Sequence, residues 1–198
     1  MAKVLMFTRF ERLWHWSQAL LITAMLITGF EIHGSYHLLG FEQAVDLHII
    51  MAWTLIGLWV FAMFWYITTG EWKQYTPSSA NSMAAMARYY GVNLILGGGV
   101  PYQRSRRQKF NPLERMELLL LNVGIMPVIW ISGLLYLFYT SWNDWGLSSF
   151  SLTNVALVHT AGAFAMLVFL ISHLYFSITT SKKPFGYVKA IITGYEDE

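Results

Sequence analysis

Four uncharged stretches dominate the pattern of apolar and polar positions along this chain. None of them contains Asp, Glu, Lys or Arg, and they cover residues 13–30, 47–70, 118–142 and 146–180. A helix of about 20 apolar residues crosses a hydrocarbon core of about 30 Å. The pattern therefore predicts an all-α integral membrane four-helix bundle that forms a single membrane domain over residues 1–198. The predicted transmembrane helices lie at about 13–30, 47–70, 118–142 and 154–178.

The charged residues fall in the connecting segments, and the basic ones are confined to one side. All thirteen Lys and Arg residues lie in segments 1–12, 71–117 and 181–198, whereas loops 31–46 and 143–153 carry acidic but no basic charge. Cytoplasmic segments of membrane proteins are enriched in Lys and Arg. We therefore expect both termini and the loop 71–117 in the cytoplasm. No small-residue cleavage motif follows the first stretch, so we expect that helix to be retained.

Composition narrows the class of protein further. Hydrophobic residues make up 56% of the chain and charged residues 12%, with a formal net charge of +2, whereas soluble domains carry about 25% charge. This composition argues against a soluble enzyme and against a nucleic-acid binder. The chain has no cysteine, which excludes disulfides, iron–sulfur ligation and thiolate zinc sites within it.

The cytoplasmic loop 71–117 has an apolar pattern of its own. Apolar residues recur at roughly helical spacing from Met83 to Leu96, after the helix-start sequence Pro77-Ser78-Ser79 and before Gly97-Gly98-Gly99. This spacing is typical of a short amphipathic helix that lies on the membrane surface. A solvated loop is an equally good explanation, and both interpretations stay open.

Four histidines lie within the predicted helices at matched depths. His159 and His173 are fourteen residues apart, so they face the same way within about 40° and are separated by about 21 Å along the helix axis. His173 is at the depth of His15, near the cytoplasmic face, and His159 is at the depth of His48, near the external face. The bundle is therefore predicted to hold two histidine pairs, one near each face.

The chemistry of these pairs favours haem over other metal centres. A single membrane histidine is equally explained by a hydrogen bond to a neighbouring helix, but four in matched pairs favour ligands. Zinc usually takes three or four ligands at one point, whereas two imidazoles across a flat ring suit haem b and electron transfer. Glycines in or beside the helices would make room for such a group. The more common role of such glycines is close helix packing. They are Gly29, Gly57, Gly124, Gly133 and Gly162.

Several short motifs, taken in order, resemble the prokaryotic four-helix di-haem cytochrome b family. This family includes the gamma subunit of formate dehydrogenase, the cytochrome b subunit of thiosulfate reductase and the b-type cytochrome of nickel–iron hydrogenase. The motifs are Arg12-Leu13-Trp14-His15-Trp16, Leu26-Ile27-Thr28-Gly29, Lys109-Phe110-Asn111-Pro112-Leu113, His173-Leu174-Tyr175 and the tail from Lys189 to Glu196. The resemblance covers nearly the whole chain.

The resemblance implies a role for each of the four membrane histidines. By it, His48 and His159 ligate the iron of an external haem b, and His15 and His173 ligate that of a cytoplasmic haem b. This assignment agrees with the pairing by depth.

The resemblance also implies residues around the cytoplasmic haem. A quinone site there involves Asn111 and His173. Asn111 also begins an Asn-Pro-x-Glu sequence, which is a good start for a helix, and both roles are compatible. Arg9, Arg12 and Lys109 would pair with haem propionates, or else contact lipid headgroups.

The resemblance implies a membrane-anchor subunit of the respiratory chain rather than a catalytic subunit, so we expect no catalytic residues. In a bacterial cytoplasmic (inner) membrane it would carry electrons between an external, periplasmic-side partner and the menaquinone or ubiquinone pool. That partner would be an iron–sulfur or multihaem cytochrome c subunit. Two alternatives stay open: a free-standing di-haem quinone oxidoreductase with a diffusible external donor, and a membrane scaffold without cofactors.

Overall fold

The computed structural model describes residues 3–102, 104–106, 108–181 and 185–197. These residues form two compact units. The first unit comprises the described parts of Met1–Gln74, Tyr102–Phe110 and Ser177–Glu198, and the second comprises Tyr75–Pro101 and Asn111–Phe176. Each unit is described separately below.

Two long helices make up most of the first unit, α1 (Arg9–Ile32) and α2 (Phe41–Thr69). Thr8 caps α1 through a reciprocal pair of hydrogen bonds with Glu11, a strong start signal for a helix. The two helices pack antiparallel, because Phe10 near the start of α1 contacts Phe61 and Trp65 near the end of α2.

The chain termini of the first unit form a small assembly of their own. Strand β1 (Lys3–Leu5) pairs antiparallel with β2 (Tyr195–Asp197), and the short helix α7 (Gly186–Thr193) precedes β2. Met6, Phe7, Tyr187, Ala190 and Ile191 form its buried apolar core. The sequence patterns did not predict this assembly.

Gly194 makes the connection between α7 and β2 possible. Its φ is +92°, and a Cβ atom there would lie 2.9 Å from the carbonyl oxygen of Phe7. The carbonyl oxygen of Gly194 accepts hydrogen bonds from the backbone N–H groups of Met6 and Phe7 at 2.8 and 3.2 Å. Only glycine fits both the backbone angle and the close approach.

The second unit contains α3 (Ala80–Arg88), α4 (Pro112–Leu120), α5 (Met126–Leu137) and most of α6 (Leu152–Thr179). A π-helical turn over Leu121–Ile125 joins α4 to α5. Such wide turns change which backbone groups pair, and this one ends just before Pro127, which has no N–H to donate. Residues 112–137 therefore run on as one helix with a local irregularity.

Three helices in the described part of the chain are long and apolar enough to cross a membrane: Phe41–Thr69, Pro112–Leu137 and Leu152–Thr179. They overlap the last three predicted spans, although the helix at the third runs over Pro112–Leu137 rather than about 118–142. The helix α1 forms as predicted but is not one of these three, since polar residues within its uncharged part, His15, Ser17 and Gln18, lower its mean hydropathy. Its crossing of the membrane, the four-helix bundle and the cytoplasmic termini stay predictions.

The predicted helix in the loop 71–117 is present. α3 begins after Ser79, whose hydroxyl accepts a hydrogen bond from Ser82 N–H, and continues through a π-helical turn to Asn93. Met86 and Tyr89 are its buried apolar residues. Its location on a membrane surface stays a prediction.

Candidate functional site

His48, in the second turn of α2, is held by a hydroxyl group of α1. Its Nδ1 lies 2.9 Å from Oγ1 of Thr28, and that hydroxyl donates its own proton to the carbonyl oxygen of Ala24 at 3.1 Å. A hydroxyl has one hydrogen, so towards His48 it acts as acceptor. We therefore assign the imidazole proton to Nδ1, and Nε2 would be the nitrogen available to a metal.

His159, in the second turn of α6, has the same arrangement with α5 as its neighbour. Its Nδ1 lies 3.1 Å from the carbonyl oxygen of Ile129 and 3.1 Å from Oγ of Ser132. A carbonyl oxygen only accepts, and the Ser132 hydroxyl donates to the Val128 carbonyl at 2.6 Å. His159 therefore carries its proton on Nδ1 and its lone pair on Nε2, like His48.

A glycine lies against the ring of each of these histidines. A Cβ atom on Gly29 would lie 3.3 Å from Cε1 of His48, and one on Gly133 would lie 3.0 Å from Cε1 of His159. Each glycine directly follows the hydroxyl residue that binds the same ring. The two sites thus share a hydroxyl–glycine pair that orients an imidazole and lets it lie close to the neighbouring helix.

The remaining helix glycines do not share this role. Gly162 allows close packing of α6 on α5, since a Cβ there would lie 2.7 Å from Cγ1 of Ile129, and Gly57 has no atom within 4 Å of a Cβ position. The alternative role of close helix packing therefore holds for Gly162.

His173, near the end of α6, lies among groups of a different chemistry. Its ring stacks on Phe169, with ring centroids 5.4 Å apart and planes at 16°. Its Nδ1 lies 3.8 Å from Oε2 of Glu117 in α4, whose other carboxylate oxygen accepts a hydrogen bond from the hydroxyl of Ser172. The sequence analysis missed Glu117, which immediately precedes the third uncharged stretch.

The other histidines divide between helix and loop. His15 is half-buried in α1 with its ring edge-on to Trp16 at a centroid distance of 5.2 Å. His33 and His37 are exposed in the loop after α1.

His15 and His48 belong to the first unit, and His159 and His173 to the second. Each predicted haem pair draws one histidine from each unit, and the pairing stays a prediction.

Asn111 is fully buried at the start of α4. Its side-chain oxygen accepts hydrogen bonds from the N–H groups of Leu113 and Glu114 at 2.9 and 3.0 Å, which confirms the predicted helix cap. Its amide nitrogen donates to the hydroxyl of Tyr90 at 3.2 Å. The quinone role of Asn111 stays a prediction, and Tyr90 is a neighbour that the sequence did not indicate.

The three basic residues expected at propionates or headgroups lie in different settings. Lys109 is 2% exposed, and its Nζ lies 2.5 Å from Oε1 of Glu11 and 3.0 Å from Oε2 of Glu71. Arg12 donates from Nη1 to the carbonyl oxygen of Ile192 at 2.8 Å, and Arg9 is exposed. Lys109 and Arg12 thus tie segments of the first unit together, and contact of the three with propionates stays a prediction.

The chemistry at His48 and at His159 fits the ligands of a haem b group. Each imidazole has its Nδ1 within hydrogen-bond distance of a hydroxyl or carbonyl group of a neighbouring helix, and its Nε2 would be the nitrogen for iron. The glycine beside each ring lets the imidazole lie close to that helix. Among the described residues, no group of three or more His, Asp or Glu side chains is placed to hold a metal ion.

Comparisons with known proteins agree with this chemistry. Residues 6–194 match the family described as prokaryotic cytochrome b561. The chain is 26% identical over 201 residues to the candidate cytochrome YdhU of Escherichia coli (strain K12), covering 98% of this chain and 74% of that protein. No solved structure matches. The chain belongs to the prokaryotic cytochrome b561 family, and it is a bacterial membrane b-type cytochrome of electron transfer.

Proposed function

We propose that this cytochrome is the di-haem membrane anchor of a larger redox complex, in which it carries electrons between a periplasmic-side partner and the quinone pool. The observation that carries the proposal is the repeated hydroxyl–glycine pair at His48 and His159. When bound, haem b supplies reversible one-electron transfer.

On the external side, the chain orients two imidazoles. Thr28 fixes the ring of His48, and Ser132 with the Ile129 carbonyl fixes the ring of His159. A neutral hydrogen-bond acceptor at Nδ1 favours the tautomer with its proton there, and that tautomer can bind a metal through Nε2. The same device on α1 and on α5 supports a shared ligand role for the two histidines.

On the cytoplasmic side, His15 and His173 form the second proposed pair. Stacking on Phe169 restricts the ring of His173. The buried Asn111 amide and the hydroxyl of Tyr90, whose ring contacts Phe176 at a centroid distance of 4.8 Å, supply polar groups for a quinone headgroup. Quinone reduction takes two electrons and two protons, and we propose that the protons come from the cytoplasm.

Two features of the chain support its proposed orientation in the membrane and its contact with an external redox partner. The pairing of β1 with β2 supports a common side for the two terminal segments, and the basic residues make that side cytoplasmic. Tyr36 and Trp145 are exposed aromatic residues in the two loops without basic charge. Aromatic residues are frequent in protein interfaces, and we propose that these two contact an iron–sulfur or multihaem cytochrome c subunit.

The test uses the full chain purified in detergent. We expect two b-type haems per chain in the dithionite-reduced spectrum, and we expect a menaquinol or ubiquinol analogue to reduce them under anaerobic conditions. Absence of haem b, or haem that neither quinol reduces, contradicts the proposal. Isolation from native membranes without any cofactor-bearing subunit contradicts the anchor role and favours the free-standing quinone oxidoreductase.

A further inference from the structure

His173 differs from His48 and His159 in the charge of the group that faces Nδ1. His48 faces the hydroxyl of Thr28, and His159 faces a hydroxyl and a carbonyl, all of them neutral groups. His173 faces the carboxylate of Glu117, with Oε2 at 3.8 Å from Nδ1. The site near the quinone thus has an acidic neighbour that the described contacts of the other site lack.

Glu117 is held in this position by Ser172, and the ring of His173 is held by Phe169. Its side chain is 9% exposed, and its Oε1 accepts a hydrogen bond from the hydroxyl of Ser172, the residue before His173. The stacked ring of Phe169 restricts rotation of the imidazole. In an environment with little water, a charge at this distance acts more strongly than it does in bulk solvent.

A carboxylate beside the outer nitrogen of a ligating histidine has two known effects. Where the ring N–H donates a hydrogen bond to it, it fixes the tautomer and makes the imidazole a stronger electron donor to the metal. At longer distances, such as the 3.8 Å between His173 and Glu117, it acts through its negative charge. A negative charge favours the oxidised state of the metal, because that state carries one more positive charge than the reduced state.

We propose that Glu117, through its negative charge beside His173, lowers the reduction potential of the haem that His173 binds. This inference rests on the proposed function, since it takes His173 as an iron ligand. Reduction adds one electron to the haem, and no bond forms or breaks. A lower potential at this site increases the driving force for passing electrons on to the quinone.

The test is an optical redox titration of the full chain with the Glu117→Gln substitution, which preserves the shape of the side chain and removes its charge. We expect both haems to be retained, the potential of the haem bound by His173 to rise, and the potential of the other haem to stay unchanged. We also expect the electron paramagnetic resonance signal of the same haem to shift, a change that a purely structural role does not produce. Glu42→Gln, at an exposed position of α2, is the control for loss of charge and should change neither potential.

Ser172→Ala provides an independent variant, since it keeps the carboxylate but removes the hydroxyl that holds it. We expect a smaller rise of the same potential. Unchanged potentials in Glu117→Gln overturn the inference and leave the proposed function intact. If Glu117→Gln loses the haem, an unchanged potential in Ser172→Ala overturns the inference. If His173→Ala retains both haems, the proposed function itself fails.

Discussion

The hydroxyl oxygen of Ser132 lies 3.1 Å from Nδ1 of His159, and the same hydroxyl donates a hydrogen bond to the Val128 carbonyl oxygen at 2.6 Å. Thr28 makes the equivalent pair of contacts with His48 and the Ala24 carbonyl. Both hydroxyl groups belong to helices, so the ring orientation is set by elements that are rigid before any cofactor binds. The pairs therefore define which substitutions should weaken haem binding.

Removal of the Thr28 hydroxyl should weaken binding of the external haem. When a metal-ligating histidine loses the hydrogen-bond partner of its other ring nitrogen, metal affinity typically falls by about 10–100-fold. We expect the loss of haem affinity in Thr28→Ala to lie in this range. Haem transfer to an excess of an acceptor protein measures the loss. Thr28→Ser keeps the hydroxyl and should bind haem like the wild type. Equal haem retention in Thr28→Ala and Thr28→Ser refutes the role of the hydroxyl.

A methyl group at Gly133 should displace the ring of His159. The added Cβ would lie 3.0 Å from Cε1 of that ring, a distance that forces the ring to move. We expect Gly133→Ala to lower the content of the external haem, measured by the reduced-minus-oxidised spectrum.

Gly57→Ala is the matched control for that substitution. No atom lies within 4 Å of a Cβ at Gly57, and alanine stabilises a helix by about 0.5–1 kcal/mol relative to glycine. We expect full haem content and unchanged or higher thermal stability. The role of Gly133 is wrong if both alanine variants keep the same haem content.

Loss of the Lys109 ammonium should destabilise the first unit. It would leave the carboxylates of Glu11 and Glu71 without their shared cation, and removal of one partner of a buried ion pair costs about 3–5 kcal/mol. We expect Lys109→Met to lower the melting temperature, measured by circular dichroism. Lys189→Met, at an exposed position of α7, should leave it unchanged. Equal melting temperatures for the two variants contradict this account of the buried pair.

The loop after α1 should loosen at low pH. One carboxylate oxygen of Glu31 accepts hydrogen bonds from the N–H groups of Leu38, Leu39 and Gly40 at 2.8, 2.6 and 2.8 Å. Burial raises the pKa of Glu31, but these bonds and the charge of His37 hold the pKa below its ordinary value. The stabilisation is therefore present above the ordinary carboxyl pKa of about 4.3 and is lost as pH falls through the lowered value.

Hydrogen exchange of residues 33–40 measures this loss. We expect protection of the loop to be constant from neutral pH to about pH 5 and to fall below about pH 4. Glu31→Gln cannot ionise and should give weaker protection that does not change over this range. A wild-type loop whose protection follows the same pH profile as Glu31→Gln would contradict the account.

The sequence predicts those features that depend on neighbouring residues along one helix. Uncharged stretches indicate the spans, the spacing of His159 and His173 follows from helix geometry, and the Asn-Pro-x-Glu pattern predicts the cap at Asn111. Each of these signals lies within a few turns of a single segment. Local sequence therefore suffices for the three candidate spans and for the cap.

Contacts between distant segments were not predictable. The pairing of β1 with β2 joins strands of only three residues from opposite ends of the chain, and such short strands have no distinctive pattern. Lys109 binds Glu11 from 98 positions away, and Ser172 binds Glu117 from 55 positions away. Nothing near Lys109 or Glu117 indicates these partners, because the fold alone brings them together.

The most direct test of the di-haem account compares the haem that each histidine variant loses. We expect His48→Ala and His159→Ala to lose one and the same haem, and His15→Ala and His173→Ala to lose the other, with the two haems distinguished by redox titration. His33→Ala and His37→Ala, at exposed loop positions, should keep both. Loss of different haems in His48→Ala and His159→Ala, or retention of both haems in all four variants, contradicts the account.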